Sequence, residues 1–365
     1  MAESPVNMKK GHENGISTAR NGKELFIIDC DAGTDDALAI LLAVNQQLVP
    51  NAQVLGITCV GGNTTLDNVV TNVLKTLKIA SREDVPVYKG AVTGVIPRRA
   101  LRPLLQLDTS GSSVIAISSQ IHGNDGLGGA AHTVPITEAQ VETVLTRESA
   151  IDWLGRTITQ SEPGTITLVT LGPLTNVAFA HRLFPQFHSK LKRLVIMGGT
   201  LDAKGNMGLT SEFNFDCDPE AAYTVLEEFD CPITIIPFDT CISHYFTHEW
   251  YERTLASTNS LKAKFIQAIF HGKVQYVKAN FKGHHEFYAC DWMAMICAMN
   301  PLPDVVLESV HHYATVELNG QVTRGQMVVD WRDKVTNEQG GKRKVEMITK
   351  LDLQKLQTIF EKMLL

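Results

Sequence analysis

The chain has no excess of positive charge, no membrane-length apolar run and no paired cysteine spacing. Each absence removes a class of protein. Its 365 residues carry 33 Lys and Arg against 39 Asp and Glu, a net charge of −6. A mildly acidic chain has no general attraction for phosphate backbones or anionic lipid, so neither nucleic acid nor a membrane surface is an expected partner. The longest clean apolar run, Ala37 to Val44, falls well short of the ~20 residues that span a bilayer. The seven cysteines (Cys30, Cys59, Cys217, Cys231, Cys241, Cys290, Cys297) are odd in number, and none forms a C-x-x-C pair. That pattern suits reduced thiols and a cytoplasmic location rather than a disulfide framework. The first residues are polar, with no apolar core of a secretory signal, and Glu3, Glu13 and Glu24 argue against a mitochondrial presequence. Residues 1–22 are expected to form a flexible polar tail.

What is present is ordinary globular material, 44% hydrophobic and 20% charged, which excludes disorder. Short β-branched runs at 25–28, 54–60, 85–88, 166–171, 194–197 and 233–237 read as strands. Helical stretches lie between them, at about 35–44, 66–79, 174–182 and 219–229. Such alternation predicts an α/β fold, one domain over 23–365, with a mostly parallel open sheet flanked by helices. Right-handed crossovers would bring every strand's C-terminus to one edge, where open α/β sheets bind ligands. The periodicity dissolves over 98–120, expected as a loop insertion. It turns helical over 245–282, alternates like an antiparallel hairpin over 314–332, and closes in an amphipathic helix from about Asp352.

The most informative segment follows the first strand. Asp29-Cys30-Asp31-Ala32-Gly33-Thr34-Asp35-Asp36 places four carboxylates in eight residues. Asp35 and Asp36 gain from the amide groups and dipole of the helix they open. Asp29 and Asp31 gain nothing from it, and strand alternation sends both to the same side. Four like charges this close call for a compensating cation. With no accompanying His or Cys ligand pattern, a hard oxygen-liganded ion, Ca²⁺ or Mg²⁺, fits better than Zn²⁺. An EF-hand loop fails, because its required Gly and Glu positions hold Thr34 and Ile40. A haloacid-dehalogenase-like phosphohydrolase, with Asp29 as nucleophile, stands as the runner-up, although the immediate Asp-Asp is foreign to it.

The segment resembles the D-x-D-x-G-x-D-D signature of the Ca²⁺-dependent nucleoside hydrolases of the inosine-uridine-preferring type. Further pieces follow in that family's order: Gly62-Asn63, then His122-Gly123-Asn124-Asp125-Gly126-Leu127-Gly128, then Gly172-Pro173-Leu174-Thr175-Asn176. Met197-Gly198-Gly199, Asn206, Glu212-Phe213-Asn214, Asp218-Pro219-Glu220-Ala221-Ala222 and Asp291 complete the set.

The resemblance implies hydrolysis of the N-ribosidic bond of ribonucleosides to ribose and free base. By position it implies a Ca²⁺ ion held by Asp31, Asp36, the Leu171 carbonyl and Asp291, with Asp31 also the general base for the attacking water. It assigns Asp35, Asn63, Asn206, Glu212 and Asn214 to the ribose hydroxyls, Met197 to packing on the sugar, and His122 to the neighbourhood of the base. It also implies a homodimer or homotetramer. A departure stands at Cys290, where members often carry a histidine that protonates the leaving base; a thiol suits that task less well. The role is open to His244, His284, His285 or Tyr288, or to stacking on Trp292. A homologue that binds ribonucleoside and Ca²⁺ without catalysis is the remaining alternative.

Overall fold

The computed structural model describes residues 22–96, 114–280, 286–299, 304–337 and 343–365. The expected tail, apart from Gly22, lies outside the described residues. The first strand, β1 (Glu24–Cys30), is buried from Leu25 onward. Phe26, Ile28 and Cys30 enter one core, while Leu25 and Ile27 enter a second on the opposite face. A strand covered on both faces has no polar side to show, which is why it reads as a continuous apolar run.

The strands that follow are β2 (Ala52–Cys59), β3 (Val87–Lys89), β4 (Ile166–Thr170), β5 (Arg193–Met197), β6 (Ile233–Ile236), β7 (Phe246–Thr247), β8 (Glu286–Phe287), β9 (Val306–His312), β10 (Ala314–Val316), β11 (Met327–Val329) and β12 (Val345–Leu351). Eight of them form one sheet in the order β3-β2-β1-β4-β5-β6-β12-β9. Neighbours run parallel except β9, which lies antiparallel to β12 at the edge. The six strands expected from the sequence are all present, and β10 and β11 form the expected antiparallel pair. The sequence pattern did not signal β9 and β12, whose mixed burial blurs the apolar run.

The helices that bear on the site are α1 (Thr34–Ala43), α2 (Leu66–Ile79), α3 (Val114–His122), α4 (Ala150–Gln160), α5 (Thr175–Leu183), α6 (Phe213–Cys217), α7 (Pro219–Glu228), α8 (Leu261–Asn280), α9 (Cys290–Ala298) and α10 (Leu353–Met363). All ten residues of α1 are buried, so its all-apolar run packs inside the protein, in part against α9. Pro219 opens α7, whose N-cap Asp218 accepts the Ala221 amide and, through its other oxygen, the Thr175 hydroxyl at 2.6 Å.

One expectation needs correction. Residues 98–120 do not form one loop. Residues 98–113 lie outside the described residues, but 114–120 belong to α3, where Ser118 is buried. The Ser and Ile content that disguised this helix is tolerated because packing, not propensity, holds it. Farther along, Glu212 caps α6 by accepting the amides of Asn214 and Phe215.

The chain winds from β1 to β2 and β3 on one side, and from β4 to β5 and β6 on the other. The order therefore reverses between β1 and β4, whose C-terminal ends leave a crevice there. Asp31 follows β1 and Leu171 follows β4, so the acidic segment lies at this switch point. On the other face, Trp153 of α4 stacks on Tyr88 with ring centroids 4.1 Å apart. Gly56 makes room for it; a Cβ there would lie 2.7 Å from the indole. Truncating this buried ring should cost about 3–5 kcal/mol. Denaturant unfolding of Trp153→Ala checks this, and a loss below about 1 kcal/mol would contradict it.

Candidate active site

The turn out of β1 is tight. Ala32 adopts φ +28°, a strained conformation for a residue with a Cβ. Asn72 of α2 holds that turn by donating to the Ala32 carbonyl at 3.0 Å. The turn brings Asp35 and Asp36, in the first turn of α1, back alongside Asp31. Gly62 lets this happen, since a Cβ there would lie 2.1 Å from Asp31 Oδ2. With that space open, the Asn63 amide donates to Asp31 Oδ2 at 2.8 Å and its Nδ2 to Oδ1 at 3.1 Å. The same Nδ2 reaches Asp36 Oδ2 at 3.4 Å, which also accepts the Gly33 amide at 2.8 Å. Ser118 of α3 completes the Asn63 side chain by donating to its Oδ1.

Asp291, on the first turn of α9, joins from the opposite wall. Asp35, Asp36 and Asp291 present oxygens within 4.8 Å of one another, and all three are buried. Asp31 stands outside that triplet but within reach of its charge. Burial is the main cause that lifts Asp31 and Asp291 well above the ordinary carboxylate range, and the neighbouring aspartates add to it. Burial, then the charge of Asp35, lifts Asp36 to about 7. One oxygen, Asp36 Oδ1, is buried without a hydrogen-bond partner among the described residues. An all-oxygen donor set with an orphaned carboxylate oxygen fits a hard divalent cation.

Over this cluster opens a cavity of about 520 Å³. Of the residues expected in the site, Asp35, Asn63, His122, Leu171 and Met197 line it, as do Asn206, Glu212, Asn214 and Asp291. Asp31 and Asp36 lie beneath it, fully buried and reached through Asn63. Asn206 is exposed, at the rim. Asn214 donates to the Leu171 carbonyl at 2.8 Å and to the Met197 carbonyl at 3.2 Å, tying the ends of β4 and β5 together. Glu212 accepts the Gly199 amide besides its two capping bonds, and burial lifts it to about 7. His122 Nδ1 accepts the Thr34 amide at 3.1 Å, which leaves the proton of a neutral ring on Nε2. Burial pushes this imidazole down to about 4. The loop after it is shaped by Asp125, which accepts the amides of Leu127, Gly129 and Ala131.

Other sequence candidates fall away from the cavity. Asp29 is fully buried and bonded to Thr58 and Asn176, so the phosphohydrolase reading has no accessible nucleophile. Asn176 also binds the Cys59 carbonyl and the Ala91 amide, wiring strand ends together rather than meeting a ligand. Both nitrogens of His244 are engaged by backbone, at Thr240 and Leu351. Trp292 lies in the core, edge-on to Phe246 and Phe360, not over the cavity. His284 and His285 lie outside the described residues. Tyr288 and Cys290 do line the cavity, and the Cys290 amide donates to Asp35 at 3.2 Å. Ser118, Lys273 and Tyr276 line it too and were missed. Ser118 lies one helical turn before His122, a spacing that would have shown it had the helix been recognised.

The family described as inosine-uridine preferring nucleoside hydrolase matches residues 26–358. The chain belongs to that family. As a member it is a hydrolase of nucleoside N-glycosyl bonds. It is 31% identical over 311 residues to the pyrimidine-specific ribonucleoside hydrolase RihA of Escherichia coli O1:K1 / APEC, covering 84% of this chain and 88% of that one. A solved inosine-guanosine nucleoside hydrolase is 30% identical, with a TM-score of 0.77 over 93% of this chain and 98% of its own. The plant nucleoside hydrolase PpNRh1 superposes with a TM-score of 0.78 at 26% identity, over 93% and 98% of the two chains. The expected family and α/β fold are both borne out. Among the described residues, no helix of this hydrolase is long and apolar enough to cross a membrane.

Gly62→Ala tests whether the geometry around Asp31 matters. The variant should stay folded and lose hydrolysis by on the order of 100-fold, because Asp31 or Asn63 must move. Thermal unfolding and a ribose-release assay check both halves; full activity would show that the close approach is dispensable.

Proposed function

We propose that this chain cleaves the N-ribosidic bond of a ribonucleoside to ribose and free base, using Ca²⁺ held by Asp31, Asp36, the Leu171 carbonyl and Asp291. The observation that carries the reading is the buried, all-oxygen carboxylate cluster with its orphaned Asp36 Oδ1, at the switch point beneath the cavity. Asp35 belongs to the compact triplet, so its second role beside the ribose hydroxyls is to share charge with the ion's ligands. When bound, the ion supplies Lewis acidity that grips vicinal hydroxyls and makes water a better nucleophile.

The chain's own groups do the rest. Asp31 takes the proton of the attacking water as general base, its carboxylate aimed by both donors of Asn63. Asn63, Asn206, Glu212 and Asn214 receive the ribose hydroxyls. Glu212 is held by three backbone amides and Asn214 by two carbonyls, so neither must be ordered when substrate arrives. Met197 packs on the sugar. His122, with its proton on Nε2, serves as a neutral donor toward the base. The proposal places the protein in the cytoplasm, acting on a small nucleoside, as a homodimer or homotetramer.

A nucleoside panel assayed for free ribose, with and without chelator, tests this. Turnover should appear with at least one ribonucleoside and vanish on chelation, returning with added Ca²⁺. Asp31→Ala should lose at least ~100-fold in rate, and Cys290→Ala far less. Equal losses in the two variants would give the thiol a chemical role and overturn the division of labour.

A further inference from the structure

The position where a leaving-group acid is expected holds Cys290, His244 and Trp292 do not reach the cavity, and Tyr288, which does, is a phenol that burial pushes up and so makes a poorer acid. The departing base still has to accept the electron pair of the broken bond. Lys273 is the cavity-lining cation that nothing above uses. It projects from α8 on the same face as Tyr276 and Val277, three and four residues on, and all three line the cavity. Its residue is only 7% exposed. The ammonium donates to the Tyr288 carbonyl at 3.3 Å, and lies 4.8 Å from the Tyr288 ring centroid and 5.7 Å from that of Phe270.

An ammonium has three donors, and among the described residues this one has a single hydrogen-bond acceptor and no carboxylate partner. An ammonium held this way keeps donors to spare for an acceptor that enters the cavity. Its field reaches His122, the residue that the proposed function sets toward the base. Tyr276 fastens that wall by donating to Gln120 of α3 at 2.8 Å.

We propose that Lys273 is the residue that stabilises the departing base, as a fixed cation rather than as an acid. This rests on the nucleoside-hydrolase reading above and names the group that completes it. The C1′–N bond breaks with its electron pair going to the base, whose negative charge spreads onto a ring carbonyl oxygen. That oxygen accepts a hydrogen bond from the Lys273 ammonium. Water forms the new C1′–O bond and gives its proton to Asp31. The released base anion takes a proton from solvent, and Asp31 returns one, so the sum is hydrolysis. The substrates favoured are nucleosides whose leaving nitrogen is conjugated to a carbonyl.

The test compares wild type, Lys273→Met and Lys273→Arg, all with Ca²⁺. One substrate is a ribonucleoside that the wild type hydrolyses; the other is 4-nitrophenyl β-D-ribofuranoside, whose phenolate departs without assistance. Lys273→Met should lose on the order of 100-fold in kcat/KM on the nucleoside, and no more than about threefold on the nitrophenyl riboside. Activity on the latter also reports that the variant is folded and binds ribose. Lys273→Arg should recover about tenfold of the nucleoside rate, because it restores the charge. Equal losses on both substrates, or no loss on the nucleoside, would overturn the assignment. Wild-type protein that released ribose from neither substrate would instead contradict the hydrolase reading, and this proposal with it.

Discussion

Mutual repulsion among Asp31, Asp35, Asp36 and Asp291 is the constraint around which the rest of the site is arranged. Each is buried, and each stands near at least one other. Burial and like charge act in the same direction, and both penalise the ionised form. Part of that cost is offset locally, by the Gly33 amide on Asp36 and by both donors of Asn63 on Asp31. What they leave over, including the unpartnered Asp36 Oδ1, calls for a cation.

The fold supplies the place for it. Parallel strands with helices on both faces bring every strand-to-helix turn to the carboxyl edge, and the reversal of strand order between β1 and β4 opens a gap in that edge. Asp31 and Leu171 come from the two strands that flank the gap, and Asp291 from a helix packed against α1. Close approach is then bought with glycine at Gly62, where any side chain would collide with Asp31. The cavity divides its labour accordingly. Carboxylates and amides line it beside the strand edge, the side proposed for the sugar, while Lys273, Tyr276 and Tyr288 form an aromatic and cationic wall, the side proposed for the base.

Much of this was legible in the sequence, for physical reasons. Strands buried on both faces are apolar throughout, so six of the eight sheet strands stood out, and short motifs at their ends marked the turns. β9 did not, because its edge position mixes Glu, Ser and His into it, nor did β12, whose apolar run is broken by Glu346 and by Thr349 and Lys350. The convergence of Asp35 with Asp36 and Asp291 was not legible, because sequence order cannot show which carboxylate oxygens of different elements meet in space. Glu212 and Asn214 both line the cavity because Glu212 caps α6 and Asn214 sits in its first turn, a local geometry that the sequence around Phe213 does not reveal. Lys273 carried no signal at all. It sits in a helix rich in exposed lysines, and only the packing of α8 against α3 shows that this one is buried.

The central claim is that one divalent cation neutralises this carboxylate cluster. Calorimetric titration of chelator-treated protein with Ca²⁺ tests it directly, with Asp36→Asn as the companion variant and circular dichroism to confirm that both are folded. One ion bound per chain by the wild type, and none by Asp36→Asn, is the expected result. No binding by the folded wild type, or undiminished binding by Asp36→Asn, would contradict it.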